Sequence, residues 1–107
     1  MNKVIVTTGE VIPGKEVVEI LGVVRGSTVR ARNIGRDIAA SLKNLIGGEI
    51  KTYTDMANNA RDESYNRMVN SAIERKADGI IGMRFVTSMI MDGASEMVAY
   101  GTAVKLK

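Results

Sequence analysis

The sequence predicts an α+β domain in which a mostly antiparallel sheet carries two helices, in the order β-β-α-α-β-β. Three observations predict it. β-Branched residues crowd the stretches 16–32 and 80–106. Between them, two segments carry apolar residues at helical spacing, and glycine or Asp-Gly punctuation falls at the boundaries. The 107 residues support one domain spanning 1–107.

Val4-Ile5-Val6 forms a short first strand that ends at Thr7-Thr8-Gly9, and Ile12-Pro13-Gly14 is a turn. From Glu16 to Arg32 a second strand follows, with Gly22 and Gly26 marking a bulge or sharp bend. Asn33 suits the cap of a first helix, along which Ile34, Ile38, Leu42, Leu45 and Ile46 recur on one stripe until Gly47-Gly48. Thr52 or Thr54 caps a second helix, with Met56, Ala60, Met68, Ala72 and Ile73 on its inner face. Glu63 and Arg67 form an i,i+4 pair, and Asp78-Gly79 closes the helix. Ile80–Met91 and Glu96–Leu106 are strands joined by a hairpin turn at Asp92-Gly93.

Both faces of the Ile80–Met91 strand are apolar. One parity carries Ile80, Val86 and Ile90; the other carries Ile81, Met83, Phe85, Met89 and Met91. A half-exposed antiparallel strand alternates apolar with polar, and two short helices cover only one side of a sheet. The second side therefore points to a second copy of the chain, with a sheet closing on itself as the alternative.

Composition narrows the chemistry. The chain has no cysteine and no histidine, which removes disulfides, the usual zinc and copper ligands and the commonest nucleophile–base pairs. The net charge of +3 is too mild to imply nucleic acid, and the basic residues lack the interleaved aromatics that stack bases. No apolar run reaches the length of a membrane span, and the first residues do not read as a signal peptide, so a cytoplasmic protein is expected.

The remaining candidates are carboxylates, guanidiniums and phenols. Arg25, Arg30, Arg32 and Arg36 fall within twelve residues. They suit an anion site, although a charged, solvated strand edge is the favoured reading. Glu49 and Tyr53 stand beside the Gly47-Gly48 turn, as a ligand site or simply a helix stop. Arg61 follows the small Ala60 and stands near the inner stripe, within reach of a pocket or a neighbouring subunit. Glu96 and Tyr100 share a strand face, with Arg84 on the preceding strand. A metal would have to use oxygen or thioether ligands, which favours magnesium or calcium, or copper(I) if several Met converged. No phosphate-binding glycine loop, dinucleotide fingerprint or acyl-transfer elbow is present.

Several segments in order carry a resemblance: Ile12-Pro13-Gly14, the Gly22–Arg32 stretch, Asn33-Ile34-Gly35-Arg36-Asp37-Ile38, Gly47-Gly48-Glu49, Tyr53-Thr54, Ala60-Arg61, Gly79-Ile80-Ile81-Gly82 and Tyr100-Gly101-Thr102-Ala103-Val104. Together they resemble the YbjQ-like family of small bacterial and archaeal proteins, across essentially the whole chain. The resemblance implies an α+β subunit of a ring-like homo-oligomer, a homopentamer, assembled through its sheets. The family is uncharacterised, is often labelled "putative heavy-metal-binding" and has no established catalytic residues.

Two functional expectations follow. The first is a homo-oligomeric small-ligand-binding or scaffold protein, its site built from Arg30, Arg32, Glu49, Tyr53 and Arg61. The second is a metal-ion binder holding a divalent cation through Asp37, Glu49 and Glu96. An enzyme acting on an anionic small molecule ranks below both.

Overall fold

The computed structural model describes residues 3–30, 49–91 and 94–107. Their elements are β1 (Ile5–Val6), β2 (Val17–Arg30), α1 (Glu49–Glu74), β3 (Gly79–Met91) and β4 (Ala94–Leu106). The four strands make one sheet in the order β1-β3-β4-β2. The long ladders β2–β4 and β3–β4 are antiparallel, whereas β1 lies parallel to the start of β3.

This corrects the expected order. Among the described residues the succession is β-β-α-β-β with a single helix, and the sheet is mixed. The stripe predicted from Ile34 to Ile46 lies outside the described residues. α1 is already helical at Glu49, so neither Thr52 nor Thr54 is its cap. An acidic residue in the first turn suits the positive end of a helix, and the threonines fall inside it instead.

The far end of α1 also differs from expectation. The helix stops at Glu74, and Lys76 takes the left-handed conformation at φ 60°. The Ala77 amide then donates to the Ala72 carbonyl at 3.0 Å, and the Lys76 amide to Ile73 at 2.9 Å. This is a Schellman closure with its apolar contact supplied by Ala72 and Ala77, which belong to one core cluster. Gly79 is thereby released to begin β3. A lysine in this conformation pays a steric cost that glycine does not, so Lys76→Gly is expected to stabilise the fold by about 1 kcal/mol. Urea denaturation checks this, and a loss of stability contradicts it.

β2 shows why α1 packs where it does. Val24, Gly26 and Thr28 are buried, while the alternate residues Val23, Arg25 and Val29 are exposed. On the helix, Ala60, Ser64, Met68 and Ala72 recur every four residues and are all buried. Ala60, Met68 and Ala72 were expected on that face; Ile73 was too, but it is 45% exposed. Ser64 fills the remaining place, its hydroxyl donating to the Arg61 carbonyl at 3.0 Å. Small residues on both surfaces allow helix and strand backbones to meet. A Cβ on Gly26 would lie 2.2 Å from the Ser64 carbonyl oxygen. Gly26 is therefore a contact glycine and not the bend expected there.

The bulge expected near Gly22 is present. The β2–β4 register passes from Ile20↔Val104 to Gly22↔Ala103, leaving Leu21 as the extra residue, and Gly22 has φ 111°. A further bulge, at Gly82 in β3, was not expected. Register passes from Ile81↔Thr102 to Arg84↔Tyr100, with Gly82 at φ 63°. There the Gly82 and Met83 amides turn outward, donating to the Gly9 and Thr7 carbonyls at 2.8 and 3.1 Å. The extra residue reverses parity along the strand. Ile80 and Phe85, opposite Ala103 and Ala99, share the helix-side face, whereas strict alternation had paired Ile80 with Val86 and Ile90.

Asp78 ties the sheet together at the root of β3. Its amide donates to the Val104 carbonyl, its carbonyl accepts from Ile5, and its Oδ2 accepts from the Leu106 amide at 2.9 Å. Asp78→Ala is expected to cost about 1–2 kcal/mol by leaving that amide without its partner. Urea denaturation measures it, and an unchanged midpoint counts against the carboxylate's role.

The molecule is long for its size. Its radius of gyration is 17.1 Å over extents of 55 × 27 × 24 Å, against about 13 Å for a compact chain of this length. Among the described residues no layer covers the distal half of β3: Phe85, Val86, Met89, Ile90 and Met91 are 43–74% exposed. Phe85 and Met89 lie on one face and Val86 and, beyond a register shift, Met91 on the other, so both faces carry apolar residues.

Candidate functional site

The described residues converge most clearly where α1 crosses the free edge of β2. Two arginines reach down to that edge, Arg67 from within α1 and Arg75 from the turn that follows it. Arg75 Nη1 donates to the Leu21 carbonyl at 3.0 Å, at the bulge, and Arg67 Nη1 donates to the Ser27 carbonyl. Arg67 is also paired with Glu63, the i,i+4 ion pair expected from the sequence. Gly22 makes room for Arg75, since a Cβ there would stand 2.9 Å from its Nη1. Between the two arginine contacts an open cavity of about 490 Å³ is lined by Val23, Arg25, Ser71 and Arg75.

Across the helix-free face, strand pairing assembles a row. Arg25 stands opposite Tyr100, and Tyr100 opposite Arg84. Glu96 lies four residues from Tyr100 on the same face, opposite Val29 and Ser88, in the relation to Tyr100 and Arg84 that the sequence suggested. Arg84 is committed to structure: its Nη1 donates to the Thr8 and Met83 carbonyls, both at 2.8 Å, pinning the segment after β1.

The other candidate residues stand apart from this cavity or outside the described residues. Arg30 ends β2, opposite Ser95. Arg32, Arg36 and Asp37 lie outside the described residues. Glu49 and Tyr53 fall in the first turns of α1. Arg61 is exposed and donates to Asn58 Oδ1 at 2.9 Å, a contact within its own helix. Among the described residues no three acidic side chains gather as metal ligands, and Asp37 is not among those residues.

Ser71 and Arg75 were not singled out from the sequence. Their signal is the i,i+4 spacing on α1 together with a glycine at the facing bulge, and only the register of helix on strand connects them.

Comparison with known proteins places the chain in context. A family described as "Putative heavy-metal-binding" (YbjQ) matches residues 4–107. A UPF0145 protein of Shewanella frigidimarina is 57% identical over 102 residues, covering 95% of each chain. One from the archaeon Archaeoglobus fulgidus is 53% identical over 106 residues, covering 99% of this chain and 98% of its own. The crystal structure of a protein of unknown function from Pediococcus pentosaceus, assigned to the DUF74 family, superposes with a TM-score of 0.64. It is 19% identical, covers 97% of this chain and 98% of that one, and shares the fold. With a family match over nearly its whole length and relatives above half identity, the chain belongs to the YbjQ-like UPF0145 family.

Proposed function

We propose that this chain is the subunit of a cytoplasmic homo-oligomeric small-ligand-binding or scaffold protein, joined to its copies through the distal half of β3. The observation that carries this reading is the exposed apolar run Phe85, Val86, Met89, Ile90 and Met91. Monomeric soluble proteins rarely leave a contiguous apolar strand open to water on both faces. Among the described residues, β1 and its following loop flank only the root of β3, so its outer edge from Arg84 onward has no strand beside it. An identical strand offers the same length, hydrophobicity and free edge, which makes a second copy the matching occupant. Five subunits in a ring is the number the family resemblance implies. Sedimentation equilibrium at micromolar concentration tests the reading: a ring gives a multiple of the 11.6 kDa subunit mass, and a monomer overturns it.

The family description supports a second reading, in which the protein holds a divalent metal ion through the oxygens of Asp37, Glu49 and Glu96. With no Cys or His in the chain, oxygen ligands favour a hard cation over a soft one. Native mass spectrometry with magnesium, calcium, zinc and copper tests it; the absence of a stoichiometric adduct removes it.

A further inference from the structure

We propose that the cavity between α1 and the free edge of β2 binds a small doubly charged oxyanion, a phosphate or dicarboxylate group, through Arg25, Arg75 and Ser71. This deepens the ligand-binding half of the reading above and does not use the apolar run of β3.

Two of the four residues lining the cavity are arginines, and none is acidic. Neither the Arg25 side chain nor the Ser71 hydroxyl has a hydrogen bond or ion pair among the described residues. Arg75 gives its Nη1 to Leu21 and keeps donors to spare, since a guanidinium carries five N–H groups in a planar fork. That bond also holds the fork in place, so little freedom is lost when a ligand arrives. Ser71, in the last turns of α1, lines the same cavity as Arg75, the first residue beyond the helix, whose amide donates to the Ser71 carbonyl at 3.3 Å. Arg25 belongs by register to the helix-free face and lines the opening at the outer edge of β2, so an oxyanion seated there has two arginines in its lining and no carboxylate.

The same geometry argues against an added peptide strand. β2 is an edge strand among the described residues, but Arg75 and Arg67 occupy the Leu21 and Ser27 carbonyls, breaking the run of acceptors that strand addition uses. The opening left between them suits a small ion.

The test is calorimetric and backbone-amide NMR titration of the full chain in its native assembly state. Inorganic phosphate and malonate are the probes, with ionic strength held constant by chloride. Saturable binding at one site per subunit is expected, with the largest amide shifts at Val23, Arg25, Ser71 and Arg75. The tighter of the two probes identifies phosphate or carboxylate as the natural group. Arg25→Ala is expected to weaken binding about tenfold or more, Arg25→Lys to retain part of it, and Ser71→Ala to weaken it several-fold. Arg75 is left intact because it also supports the bulge. Sedimentation and circular dichroism of each variant, run first, separate loss of binding from loss of assembly or fold. Non-saturating shifts, or affinity unchanged in a folded Arg25→Ala protein, overturn the proposal. A monomer that binds phosphate saturably would refute the assembly reading and leave this one standing.

Discussion

Gly26→Ala is expected to destabilise the fold by about 3 kcal/mol or more. The added methyl would meet three atoms of α1 at once: the Ser64 carbonyl oxygen at 2.2 Å, the Met68 amide nitrogen at 2.4 Å and the Arg67 Cβ at 2.6 Å. Two of these are backbone atoms and cannot rotate aside. The helix must lift from the sheet, and Ser64, Met68 and Ala72, each fully buried, lose their packing together. Gly14→Ala is the control. Gly14 has φ 78° with nothing within 4 Å of the added Cβ, so only backbone strain of about 1 kcal/mol is expected. Urea denaturation of both variants decides the matter. A Gly26→Ala midpoint close to wild type would mean that α1 does not rest on β2 as described.

If the proposed assembly through β3 holds, charged substitutions on its distal half should break it while sparing the subunit. Val86→Asp with Ile90→Asp places two carboxylates on the helix-free face, and Phe85→Asp with Met89→Asp places two on the other. Every one of these side chains is already substantially exposed in the single chain, so the subunit loses little burial of its own. In an oligomer each would remove a buried large apolar group worth about 1.5–3 kcal/mol. A double variant therefore costs about 3 kcal/mol or more per interface, over a hundredfold in dissociation constant. Sedimentation should show monomers with unchanged circular dichroism. If one pair dissociates the oligomer and the other does not, the face that carries the contact is identified. If neither does, the distal half of β3 does not carry a contact between copies.

Much of the fold was legible in the residues, and the exceptions have physical causes. The long strands, the helix that follows them and the bulge at Gly22 each rest on a local pattern: β-branched runs, four-residue spacing, a glycine inside a strand. The two-sided hydrophobicity of β3 was equally visible, and its exposure in the folded chain follows from it. The boundaries of this helix were misread because threonines are favoured caps and Asp78-Gly79 is a strong local stop signal. In the fold, α1 is helical from Glu49, and Lys76 takes the left-handed turn because Ala72 and Ala77 must meet in the core. The face pattern of β3 went astray at Gly82, whose bulge is held by hydrogen bonds to the loop after β1, more than seventy residues earlier in the chain. A period-two reading has no means of anticipating a partner so distant.

Of the candidate site, the sequence supplied Arg25 as one member of a basic run but assigned greater weight to Arg30 and Arg32. It gave no reason to join Arg25 to Ser71 and Arg75. Those residues line one opening where Gly26 lets the helix approach the strand and the bulge at Leu21 offers a carbonyl to Arg75. The sequence by itself determined what the chain is made to do locally: form two-faced strands, present a small-residue helix face, and forgo every cysteine and histidine chemistry. Only the tertiary structure decided which charges share an opening, since register and close approach depend on contacts between segments far apart in the chain, and those contacts leave no periodic signal along it.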